Sequence, residues 1–113
     1  MLIKRIFKGK RGEGKTKWLV ENAIDSVVMT NGDAEKKLFY IGNVKQYDVF
    51  CMIYQEKMHT KCPIERWEHD DMRGCDSAIL FTDELMHNIN DIPTALPRDG
   101  IWFITMSSED FIQ

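Results

Sequence analysis

The stretch Gly9-Lys10-Arg11-Gly12-Glu13-Gly14-Lys15-Thr16 fits the pattern G-x-x-x-x-G-K-[ST]. Glycines at these positions let successive backbone N–H groups turn inward around a phosphate, and a helix starting where the loop ends adds the favourable end of its dipole. In such a loop the Lys15 ammonium reaches the outer phosphates and the Thr16 hydroxyl can hold Mg²⁺. The candidate nucleotide contacts are therefore Gly9, Lys10, Arg11, Gly12, Glu13, Gly14, Lys15, Thr16 and Lys17. Further along, Ala78-Ile79-Leu80-Phe81-Thr82-Asp83-Glu84 is an apolar run that ends in adjacent acids. Asp83 is a candidate second ligand for Mg²⁺, and Glu84 is placed to act as general base on an attacking water.

These residues can meet only if particular elements carry them. Leu2 to Phe7 reads as a first strand, interrupted by Lys4 and Arg5 in a way that suits a sheet edge. From Lys15 the positions Leu19, Val20, Ala23, Ile24, Val27 and Val28 recur at helical spacing. A turn cluster over Thr30–Ala34 precedes a second strand at Lys37–Ile41. Val44, Tyr47, Phe50, Cys51, Tyr54 and Met58 then form the stripe of a second helix. Residues 60–77 show no period and read as a long irregular link. Ala78–Phe81 is the third strand, a short helix follows through Ile89, and Ile101–Met106 is the fourth strand, closing at Ser107-Ser108.

Strands alternating with helices predict a three-layer α/β domain over residues 1–113, with a mostly parallel sheet and helices on both faces. Strand ends in such a sheet open onto the crevice that also receives the phosphate loop, which brings Asp83 and Glu84 toward Lys15 and Thr16.

With both motifs in place the chain resembles the P-loop NTPases, in the branch that carries a catalytic glutamate beside the Walker B aspartate. Phage-type DNA-translocating ATPases, the large terminase subunits and the Zot-like assembly and export ATPases, look closest. The resemblance implies the order 1-4-3-2 for the four strands read here; members usually have a fifth, and for want of that outer neighbour the loop-bearing strand is expected at an edge. It also implies that Arg11 senses the γ-phosphate from within Walker A, and that Thr105 or Ser107, ending the fourth strand, serves as a polar sensor. The implied activity is Mg²⁺-dependent ATP hydrolysis, with Lys15, Arg11, Glu84, Thr105 and Ser107 in catalytic roles. A homo-oligomer or a larger motor partner would accompany it.

Composition narrows the classes without choosing among them. Hydrophobic residues make up 43% and charged residues 29%, which suits a folded globular chain. No apolar run approaches the roughly 20 residues of a membrane span, and the start lacks a signal peptide's apolar stretch, so a cytoplasmic protein is expected. Three cysteines without a secretion signal point to reduced thiols. The net charge of −3 gives no general case for DNA, although residues 1–17 carry about +6 against about −9 elsewhere.

Other constellations weigh less. His59, Cys62, His69 and Cys75 are the residue types that bind zinc, but their spacing is irregular and unpaired loop residues are the better account. Arg66, Arg73 and Arg98 precede strands and should lie at the far end of the sheet from their own nucleotide site, as ordinary surface residues. Trp18 and Trp102 suit core packing rather than a platform for single-stranded nucleic acid. Two alternatives to the ATPase stay open: a small nucleoside or nucleotide kinase, and a nucleotide-binding interaction module without turnover.

Overall fold

A computed structural model of the chain describes residues 1–30 and 37–108. The order of elements is strand β1 (Leu2–Gly9), helix α1 (Lys15–Met29), strand β2 (Lys37–Tyr40), helix α2 (Val44–Met58) and strand β3 (Glu65–Arg66). Strand β4 (Ser77–Thr82), a 3₁₀ helix (Leu85–Asp91) and strand β5 (Asp99–Ser107) complete it. Most of the turn expected at Thr30–Ala34 lies outside the described residues.

All strand pairs are parallel, and they form one sheet in the order β1-β5-β4-β2-β3. The expectation of about four strands ordered 1-4-3-2 is corrected: among the described residues the sheet has five, with β3 added beyond β2 while the four expected strands keep their neighbours. β3 pairs only Phe39 with Glu65 and Tyr40 with Arg66, and two residues are too few to carry a period. β1 pairs along its length with β5, from Leu2 with Gly100 to Gly9 with Ser107. It lies at the edge, where Lys4, Arg5 and Lys8 are exposed.

The direction of each crossover decides which face its connection covers. Right-handed connections from β1 to β2 and from β2 to β3 step the same way along the sheet, so α1 and α2 share one face. The returns from β3 to β4 and from β4 to β5 step back, so their chain covers the opposite face. Among the described residues the two α-helices are therefore on one side. The other side is covered by the 3₁₀ helix and irregular segments, not by a second α-helical layer.

The central strands are apolar on both sides, as a parallel sheet covered twice requires. In β4 and β5, Phe81 and Phe103 face the helices and stack on one another, with ring centroids 5.4 Å apart. Leu19, Val20 and Ala23 of α1 and Phe50 and Tyr54 of α2 close that side. Their neighbours Ala78, Leu80, Trp102, Ile104 and Met106 face the other way, onto Ile41, Met72 and Cys75. The stretch expected to be an irregular link thus supplies core residues. It also makes a bridge between Asp71 and Ala95. Trp102 is buried, and Trp18 packs against Phe7 and Phe103.

Candidate functional site

Gly9 ends β1 and Lys15 begins α1, so residues 10–14 must reverse the chain in a short loop. Gly12 and Gly14 both take positive φ, at 86° and 82°, where a side chain would be strained. Glu13 closes the turn: its N–H donates to Lys10 O at 3.1 Å, and its Oε1 accepts from Lys10 N at 2.7 Å. Gly14 is the N-cap of α1 and offers no side-chain cap. The first N–H groups of the helix are thus left to whatever enters in front of them.

Lys15 is 8% exposed and its Nζ donates to Gly9 O at 3.1 Å. The same Nζ lies 3.0 Å from Glu84 Oε1. An ammonium has three N–H groups, so one stays available after these two partners. The neighbouring Thr16 Oγ1 donates to Asp83 Oδ2 at 2.7 Å. The other carboxylate oxygen, Oδ1, accepts from the Thr105 hydroxyl, which in turn accepts from Glu84 N at 2.9 Å.

Each contact follows from strand geometry. Asp83 and Glu84 stand just past the carboxyl end of β4, and the β1–β5–β4 order sets them beside the loop after β1. Thr105 is in phase with Ile101 and Phe103 on the helix side of β5, and it is fully buried. It touches Asp83 and the Glu84 backbone. Ser107, two residues on, pairs in register with Gly9.

A cavity of about 390 Å³ opens here, lined by Arg11, Gly12, Gly14, Lys15, Thr16, Lys17 and Glu84. This volume lies within the range of small-molecule sites. Of the residues expected to contact nucleotide, Gly9, Lys10 and Glu13 hold the loop's shape instead of lining the cavity. Glu84 Oε2 is buried and accepts no hydrogen bond among the described residues. A larger hollow of about 600 Å³ lies along one side of α2, lined by Asp48, Cys51, Met52, Gln55, Glu56 and His59. It is a single helix flank without converging loops, and the chemistry favours the smaller cavity.

The hard oxygen donors Thr16 and Asp83, already within hydrogen-bond reach of one another, fit a Mg²⁺ that keeps several waters. The zinc candidates do not gather. His59 caps the C-terminus of α2 in the left-handed region, Cys62 lies against Ile64 O, and His69 packs edge-on against Trp67. Cys75 is buried in the second core cluster. Among the described residues, no three His, Cys, Asp or Glu side chains converge as metal ligands.

Arg66 is not at the far end of the sheet. Because the chain forms β3 there, Arg66 closes that strand and its Nη1 donates to Gly42 O at 3.1 Å, past the carboxyl end of β2. Arg73 pairs with Asp71 at 2.7 Å.

Sequence reasoning missed Asn88, which is fully buried beneath the Asp83-Glu84 turn. Its only sequence signal was position, four residues after Glu84 within the short helix. No described helix is long and apolar enough to cross a membrane. In comparisons with known proteins, the chain matches no family model, and neither a curated protein nor a solved structure is significantly similar to it.

Proposed function

We propose that the chain binds ATP with its phosphates in the loop Gly9–Thr16 and hydrolyses it in a Mg²⁺-dependent reaction. The observation that carries this reading is the double closure of the site. Thr16 meets Asp83 and Lys15 meets Glu84, so a phosphate loop and an acidic strand end form one wall of one cavity.

In this reading the backbone of Gly12 to Thr16 and the Lys15 ammonium bind the β- and γ-phosphates. Arg11, exposed at the cavity mouth, adds positive charge where the γ-phosphate would lie. Thr16 and Asp83 would hold Mg²⁺, which supplies neutralisation of charge on the phosphate oxygens. Glu84 has an oxygen with no partner among the described residues, suited to accept the proton of a water attacking the γ-phosphorus. The bond from the γ-phosphorus to the bridging oxygen breaks, and the products are ADP and inorganic phosphate. Thr105 contributes indirectly, by fixing Asp83 and the Glu84 backbone.

A role in phage-type DNA translocation or assembly rests on the resemblance of Gly9–Thr16, Asp83-Glu84 and Thr105. The test is ATP binding and phosphate release for wild type, K15A and E84Q, with and without DNA. Wild type should release phosphate and both variants should not, with binding kept only in E84Q. Phosphate release by K15A equal to wild type would refute the assignment.

A further inference from the structure

Asn88 sits at a kink in the 3₁₀ helix, with non-helical φ −119° and ψ 15°. Its Oδ1 accepts from Asn43 N at 2.8 Å and from Asn43 Nδ2 at 2.9 Å. Its Nδ2 faces Asp83 O at 2.5 Å, Glu84 O at 3.2 Å and the Gln46 side-chain oxygen. Two N–H hydrogens among three acceptors leave the amide with no spare donor.

The residue above it is under constraint. Glu84 has φ 50° and ψ 70°, a left-handed conformation that a residue with a side chain keeps only when its surroundings hold it there. Three backbone contacts do so: its N–H donates to Thr105 Oγ1, and its carbonyl accepts from His87 N at 2.9 Å and from Asn88 Nδ2. On the other side Asn88 is fixed by Asn43, which already caps α2 by accepting from Gln46 N at 2.9 Å and does not need Asn88 for that purpose.

We infer that Asn88 is a positioning residue for Glu84, clamping the catalytic turn against the N-terminus of α2 so that the Glu84 carboxylate stays beside Lys15 and the cavity. The inference rests on the proposed hydrolysis for its catalytic meaning, but the clamp itself can be read without turnover. The start of α2, which lines no part of the cavity, becomes part of the frame that holds the general base.

The test uses the full chain, wild type and N88A, with two readouts. Residue-resolved amide exchange should show the Glu84 N–H exchanging at least about tenfold faster in N88A, while Leu80 and Phe81 in β4 keep their protection. In steady-state ATP hydrolysis kcat should fall at least about tenfold with KM within about threefold, and N88A should add nothing in the E84Q background. Unchanged exchange at Glu84, or a kcat loss that adds fully to that of E84Q, would overturn the inference. Should N88A fail to fold, N43A, which releases Asn88 Oδ1, should move both readouts the same way by less. Wild type without Lys15-dependent turnover would refute the hydrolysis, and the exchange at Glu84 would then decide the clamp alone.

Discussion

Lys15 Nζ lies 3.0 Å from Glu84 Oε1, joining the first turn of α1 to the end of β4 inside a site where the lysine is 8% exposed. In this partly buried setting each charge depends on the other, and removing one leaves its partner poorly solvated. K15A should therefore do two things at once. ATP affinity should fall at least about tenfold, and the unfolding free energy should drop by about 1–3 kcal/mol. Nucleotide titration and urea unfolding of the same sample check both. An unimpaired affinity would remove Lys15 from phosphate binding.

E84Q separates structure from chemistry. The amide keeps an oxygen to accept from Lys15 but not the charge that balances it, so the stability should drop by about 1 kcal/mol, less than in K15A. Yet the amide cannot take a proton from water, so turnover should fall by about 10²–10⁴ with nucleotide binding retained. Phosphate formed in acid-quenched single-turnover samples reads this directly, because product release does not limit it. An E84Q rate near wild type would assign the base to another group.

Thr105 makes a different prediction from the sensor role that the resemblance implies. It is fully buried, donating to Asp83 and accepting from Glu84 N, and it does not line the cavity. T105V keeps the shape but strands the Glu84 N–H and frees one oxygen of Asp83. The cost should be about 1–3 kcal/mol of stability, with a rise in the Mg²⁺ concentration needed for half-maximal activity. T105S, which retains the hydroxyl, should restore most of both. A T105V variant with normal stability and normal Mg²⁺ dependence would contradict this role.

What could be read from the sequence follows from what leaves a local signature. The loop Gly9–Thr16 is legible because positive φ at Gly12 and Gly14 demands glycine. The Asp83-Glu84 turn is legible because an apolar run stops there, and the edge position of β1 because Lys4 and Arg5 interrupt it. β3 is not legible, since two residues paired with Phe39 and Tyr40 carry no period. Nor is the clamp at Asn88, because an asparagine in a polar turn looks solvated until Asn43 and Gln46 arrive from an element over forty residues away. That both α-helices lie on one face depends on where β3 pairs, so it was hidden with β3.

The alkaline limit of stability should be set in part by Cys62. Burial, with the neighbouring Cys51 thiol adding to it, pushes the Cys62 thiol from an ordinary 9.0 up to about 12. The folded state therefore keeps this proton over a range where the unfolded chain has lost it. Below pH 9 both states are protonated and the group has no effect on stability with pH. Between about 9 and about 12 the unfolded chain ionises first, so stability falls as pH rises. Tyr40, Tyr47 and Tyr54, also raised by burial, act in the same sense at higher pH. C62A removes only the thiol's share. Urea midpoints at pH 7 and at about pH 10.5 should differ less for C62A than for wild type, whose midpoint falls further. Equal slopes in the two proteins would mean that the Cys62 thiol ionises as readily folded as unfolded.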